Sequence, residues 1–122
     1  MRRRLLGRPF PYTYNNYAFI LIVINIVVFM LNSLSPNSTF YTAMIPGLVL
    51  QKGFVWQFLT YMFTHSGLGH ILFNMLGLFF FGVQVERRMG SREFLLFYLS
   101  TGVLAGIFSF VVYLLTGMLG VI

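Results

Sequence analysis

Cysteine is absent from these 122 residues, which removes disulfides and thiol chemistry from consideration in any compartment. Charge is scarce as well: charged residues make up 8% of the chain, and only two residues are acidic. No charged side chain occurs between Arg8 and Lys52, between Lys52 and Glu86, or after Glu93. A soluble domain could not enclose three such stretches, because almost nothing polar would remain for its surface. With a mean hydropathy of +0.85, they read instead as membrane spans, each needing about 20 mostly apolar residues. At 14.0 kDa the chain is at most one ordinary domain. An all-α membrane protein is the expectation.

The charges that are present are mostly positive, for a net of +6. In a soluble protein that would suggest nucleic acid, but here position matters more than sum, and nucleic acid is not an expected partner. Arg2, Arg3, Arg4 and Arg8 precede the first apolar segment; Arg87, Arg88 and Arg92 lie between the second and third. The positive-inside rule places both groups in the cytoplasm and leaves Lys52 outside. A multi-pass integral membrane protein with a cytoplasmic N-terminus follows. The lipid bilayer is its first partner, and the N-terminal arginines are candidates for contact with anionic lipid. A basic start before an apolar run imitates a signal peptide, but the run is too long and no small-residue cleavage pattern follows it.

Residues 1–14 form a basic lead-in in which Pro9 and Pro11 oppose helix, and 15–122 form the membrane domain. The first span is predicted from Tyr17 to about Leu34, ended by the turn chemistry of Ser33-Leu34-Ser35-Pro36-Asn37-Ser38. Phe40 to Phe63 is apolar and aromatic yet holds Pro46, Gly47 and Gly53. It reads as an interfacial or re-entrant outer loop, with a plain packed loop as the alternative. The second span is predicted from Gly69 to about Val85, followed by Arg87 and Arg88 at the negative end of the helix dipole and by a left-handed cap at Gly90. Ser91-Arg92-Glu93 would make the cytoplasmic turn, and Phe94 to about Leu115 the third span. There Gly102 and Gly106 have the small-xxx-small spacing of close helix approach. The apolar, Gly-rich end at Ile122 looks interrupted.

His70 and Asn74, four apart at the mouth of the second span, project from one helix face. Both can donate hydrogen bonds, and the positive end of the helix dipole adds to the same place. That is the physics of an oxyanion hole in a low-dielectric site. A polar clamp bonding neighbouring backbone is the competing reading, and spacing alone leaves both open. His65 precedes Gly67 and Gly69 and belongs in the loop before the helix. A metal held by His65 and His70 is not expected: five helical residues rotate them by about 140°, and no third ligand is near. Ser66, Ser100 and Ser109 receive no catalytic role, since buried helical serines usually bond backbone.

Taken in order, Trp56-Gln57, Phe63-Thr64-His65, His70-Ile71-Leu72-Phe73-Asn74-Met75 and Val85-Glu86-Arg87-Arg88-Met89-Gly90-Ser91 resemble the rhomboid intramembrane serine proteases. The resemblance runs from about Trp56 to Gly106 and extends weakly back to the first span. It implies three spanning helices plus an outer interfacial loop, the front half of a six-helix rhomboid-like bundle. It further implies that His70 and Asn74 stabilise the oxyanion, that His65 and Trp56 support the site, and that Glu86 is structural. The family's nucleophile is a serine in Gly-x-Ser-Gly on the fourth helix, and its base is a histidine on the sixth. Both are absent from this chain. Where the family commonly has Trp-Arg, Gln57 follows Trp56, which puts the ionic contacts of that loop in question.

The leading expectation is thus the N-terminal part of an intramembrane serine protease that hydrolyses peptide bonds of membrane-spanning substrates. It would supply oxyanion-hole residues but not the Ser/His dyad, be inactive alone, need the C-terminal half as partner, and carry no cofactor or metal. The alternative is a rhomboid-like pseudoprotease that binds membrane clients without cleavage. A small structural membrane protein assembling through Gly102 and Gly106 is the third reading.

Overall fold

The computed structural model describes residues 11–117; Arg2, Arg3, Arg4, Arg8 and residues 118–122 lie outside the described residues. Helix α1 spans Tyr17–Leu34, as its apolar run predicts. Ser35 turns extended, and Pro36, which needs no amide partner, opens α2 (Pro36–Thr42). Pro46 opens α3 (Pro46–Lys52) in the same way, and Gly53 closes it in the left-handed region at φ 68°. Helix α4 (Gln57–Thr60) runs into a 3-10 turn, Tyr61–Phe63. The stretch expected as an outer loop is a string of short helices, none long enough to span a membrane.

The second span is one continuous helix from Leu68 to Met89. It is built as α5 (Leu68–Gly77), a π-helical turn (Leu78–Gly82) and α6 (Val83–Met89). It outruns the predicted end at Val85 because its charged last turn is bonded to the first helix and stays helical. The π turn faces α1: Phe79 meets Phe19 edge-on with ring centroids 5.7 Å apart. Such single wide turns are invisible to a 3.6-residue pattern.

The cytoplasmic turn expected at Ser91–Glu93 is instead one residue. Gly90 reverses the chain at φ 94° and ψ 155°, and α7 (Ser91–Thr116) begins at once. A side chain there would be strained whatever the space around it. Ser91, Arg92 and Glu93 are therefore the first turn of the third span. The three spans, at 18, 22 and 26 residues, measure roughly 27, 33 and 39 Å, which is enough to cross a bilayer.

A buried carboxylate ties the spans together at their arginine-bearing end. Glu86 accepts the N–H of Tyr17 at 2.7 Å and of Ala18 at 2.9 Å, and the Ser91 hydroxyl donates to it. Asn16 caps α1 with no side-chain bond, so the first-turn donors of α1 are satisfied from another helix. Ser91 Oγ in turn accepts Asn15 N–H at 2.7 Å, Ser91 N–H bonds Thr13 O at 2.7 Å, and the Tyr12 hydroxyl donates to Arg87 O. Beside this knot Ala18, Leu21, Val83 and Phe94 form a small apolar core. Elsewhere little is covered: 17%, 17% and 6% of the three apolar windows are buried, so most apolar side chains face outward, as hydrocarbon solvent permits.

Gly102 and Gly106 do accept a close neighbour, but it is not a helix. Tyr61 and Met62, from the 3-10 turn, occupy that stripe. The Tyr61 hydroxyl donates to Gly102 O. The small-residue spacing thus docks the segment between the first two spans onto α7.

Candidate active site

Residues Thr64 to Gly67 join the 3-10 turn to α5, and the site gathers at this junction. Gly67 caps α5 without a side-chain bond, and the first intrahelical bond runs from Ile71 N–H to Gly67 O at 3.1 Å. The earlier N–H groups of the helix are thus left pointing out of its end. His70 stands on this first turn, exposed. Its Nδ1 accepts the Ser66 N–H at 3.3 Å, with Ser66 Oγ also at 3.3 Å. A backbone N–H cannot accept, so a neutral His70 ring carries its proton on Nε2, free to donate away from the loop.

Asn74 lies one turn further along the same face, exposed, and among the described residues its side-chain amide has no hydrogen-bond partner. Neither residue bonds a neighbouring helix. The interhelical clamp held open from spacing is not formed among the described residues. Asn74 borders a cleft of about 420 Å³ between the second and third spans, with His65, Met62, Met75, Phe97, Tyr98 and Thr101 on its walls.

His65 is buried, at 8% exposure, and its Nδ1 has no partner among the described residues. Burial first, and the neighbouring His70 second, hold its pKa below the ordinary histidine value, against an opposing pull from the Phe63 carbonyl. Its ring lies edge-on to His70, with centroids 5.0 Å apart. The helical rotation that was expected to separate the two does not apply, because His65 sits off the helix. No cluster of three metal-ligating side chains occurs among the described residues.

The supporting residues divide by end. Glu86 sits in the knot described above, far along the second span from His70. Trp56 holds the outer segment: its indole N–H donates to Tyr41 O at 3.0 Å, and its ring stacks on Phe54 at 4.5 Å. Gln57, where an arginine was the expectation, is fully buried. Its Oε1 accepts Ile45 N–H at 3.0 Å and its Nε2 donates to Phe40 O at 3.3 Å. A neutral amide thus closes a 12-residue reach of chain through backbone groups alone. Sequence reasoning left Ser66, Gln57 and Ser91 without these roles. Each was a polar residue beside an apolar run, a weak signal until a partner is visible.

The family profile described as Rhomboid domain matches residues 52–121. The chain is 33% identical over 100 residues to the rhomboid protease GluP of Bacillus subtilis (strain 168), an alignment covering 78% of this chain and 20% of that protein. It is 34% identical over 64 residues to the putative rhomboid protease YdcA of the same organism, covering 52% of this chain and 32% of YdcA. To the rhomboid protease GlpG of Salmonella newport (strain SL254) it is 38% identical over 52 residues, covering 43% of the chain and 19% of GlpG. The chain therefore spans about a fifth to a third of the length of these relatives. No solved structure matches it. Three apolar spans, a donor pair at the mouth of the second, and a profile match over more than half its residues agree: the chain belongs to the rhomboid family.

Proposed function

We propose that this chain forms the oxyanion-binding part of an intramembrane serine protease acting on membrane-spanning substrates. The observation that carries the reading is the pair His70 and Asn74, exposed on one face of α5 and bonded to no other helix among the described residues. A serine hydroxyl attacking a peptide carbonyl would develop negative charge on the carbonyl oxygen. The His70 Nε2–H and the Asn74 amide are two donors able to receive it on one helix face. His65 packs against the His70 ring and fixes its orientation, while Trp56 and Gln57 hold the segment above. Glu86 keeps a structural place at the other end.

These 122 residues alone are proposed to be inactive. Among the described residues the hydroxyl within bonding distance of an imidazole is that of Ser66, but the ring it touches is the proposed oxyanion donor, so base and donor would be the same group. A nucleophile and base from a further part of the protease would complete the site. That part is the proposed partner, with the basic lead-in 1–14 and the arginine-bearing end in the cytoplasm.

The test uses the complete protease. Asn74→Ala and His70→Ala should each lower kcat by about 10²–10³, the usual loss for one oxyanion donor, with little change in melting temperature. Large stability loss with normal turnover of the folded fraction would assign the pair to helix packing and sink the reading.

A further inference from the structure

The chain cannot neutralise its own arginines. It has eight basic residues against two acidic ones, and both acids are committed inward. Glu86 is saturated by Tyr17, Ala18 and Ser91. Glu93 has one carboxylate oxygen buried and lies about 100° around the helix from Arg92. The guanidinium of Arg92 makes no hydrogen bond, ion pair or ring contact among the described residues, and no residue outside them is acidic. Arg92 is exposed at the membrane edge of α7, and the leucines at i+3, i+4 and i+7 continue its stripe toward the bilayer centre. Together with Tyr17 of α1, Leu95, Leu96 and Leu99 form a groove of about 290 Å³ with Arg92 at its mouth.

We propose that this groove binds one anionic phospholipid, its phosphate paired with Arg92 and an acyl chain laid along Leu95, Leu96 and Leu99 against Tyr17. The charge pattern selects the headgroup. Arg87 and Arg88 stand on the same end of the bundle, so a choline or ethanolamine cation would meet three arginines, whereas a glycerol headgroup brings only its phosphate. The apolar walls select a lipid over free phosphate, which would leave the slot below Arg92 unfilled. Arg92 to Leu99 spans roughly 10 Å along the helix axis, enough for the upper half of a chain.

The test is native mass spectrometry of the chain released from nonionic micelles doped with phosphatidylglycerol or phosphatidylcholine. The wild type should retain phosphatidylglycerol in preference. Arg92→Gln should weaken retention about fivefold, the effect of removing one interfacial arginine. Leu96→Trp should weaken it with Arg92 intact, by filling the slot, and Lys52→Gln, at the opposite end, should leave it unchanged. Circular dichroism checks that each variant keeps its helix content. Glycerol phosphate at matched concentration should fail to displace the lipid. Three results would overturn the proposal. Equal retention of phosphatidylcholine would remove the charge selection, and displacement by glycerol phosphate would make this a free-anion site. Unchanged binding in Arg92→Gln would show that the arginine does not hold the headgroup.

Discussion

Replacing Glu86 with glutamine tests whether one carboxylate joins the three spans. The change keeps size and shape but removes the charge and turns one acceptor oxygen into an NH₂ donor. In the better of the two amide orientations, the remaining oxygen serves Tyr17 N–H and the Ser91 hydroxyl. The NH₂ then faces Ala18 N–H, which now donates to Glu86 Oε1 at 2.9 Å. One bond to a charged acceptor is lost, worth about 1.5–3 kcal/mol. The other two drop to neutral strength, about half as strong. The expected destabilisation of Glu86→Gln is therefore about 3–6 kcal/mol, large for a substitution that adds no volume. Reversible unfolding in mixed micelles, followed by circular dichroism, would measure it. Hydrogen exchange at the Tyr17 and Ala18 amides should accelerate before exchange in α5. A loss below about 0.5 kcal/mol would refute the reasoning, because it would mean the α1 donors find water or another acceptor at no cost.

Two further outcomes follow from packing and burial. A Cβ at Gly106 would meet Tyr61 Cε1 at 2.7 Å, whereas one at Gly102 meets the flexible tip of Met62. Gly106→Ala should then cost about 1–3 kcal/mol as an overpacked site, while Gly102→Ala should be near neutral, helped by a helix propensity gain of up to about 1 kcal/mol. The reverse order by thermal melting would overturn this assignment. His65 has a folded pKa held below its unfolded value of about 6.5, so the unfolded chain takes up the proton first. Its share of stability is complete above that pH and falls as pH drops toward the folded pKa. His65→Gln should flatten the stability profile between pH 7.5 and 5.5, and a wild-type protein gaining stability on acidification would contradict the sign.

The three spans were legible because lipid imposes one pattern, long apolar runs between charges, that needs no knowledge of neighbours. The predicted end of the first span agrees with the structure because Ser35 and Pro36 signal locally. The end of the second and the start of the third were missed because they depend on contacts far away in sequence. Gly90 can reverse the chain in one residue only because Thr13 and Tyr12 stand against it. The helix can run on past Val85 only because Glu86 has donors on α1. The Phe40–Phe63 stretch was read as an interfacial or re-entrant loop because Pro46, Gly47, Gly53 and its polar residues break it up, although Tyr41, Met44, Ile45 and Leu48 have helical spacing. Its short helices hold through Gln57 and Trp56, whose acceptors lie 15 to 17 residues upstream. In the candidate site, the shared face of His70 and Asn74 follows from their spacing on α5. His65 was read as a loop residue before α5, as it is, but its edge-on contact with the His70 ring depends on the path of that loop and leaves no local signal.

The pattern of satisfied polar groups bears on what the open pair is for. Away from water, an unpaired donor costs enough that membrane proteins place polar side chains where they find partners. Several interior side chains follow that rule, although Thr13 Oγ1, the Tyr14 hydroxyl, Asn25 Oδ1, His65 Nδ1 and one Glu93 oxygen are buried without a partner among the described residues. Glu86 and Ser91 close the arginine-bearing end, Gln57 closes the outer segment, and Asn25, buried in α1, donates to Leu21 O at 2.7 Å. The bonds of Glu86, Ser91 and Gln57 hold one element against another, whereas Asn25 bonds back within its own helix. His70 and Asn74 bond no other helix among the described residues. His70 accepts the Ser66 N–H of its own loop through Nδ1, and Asn74, which borders the cleft, has no partner among them. Had the pair been structural, Thr101 on the facing wall offers a hydroxyl, yet that hydroxyl bonds back to Phe97 O at 2.7 Å within its own helix. The neighbouring helix thus leaves the Asn74 amide, on the edge of the cleft, without a partner among the described residues.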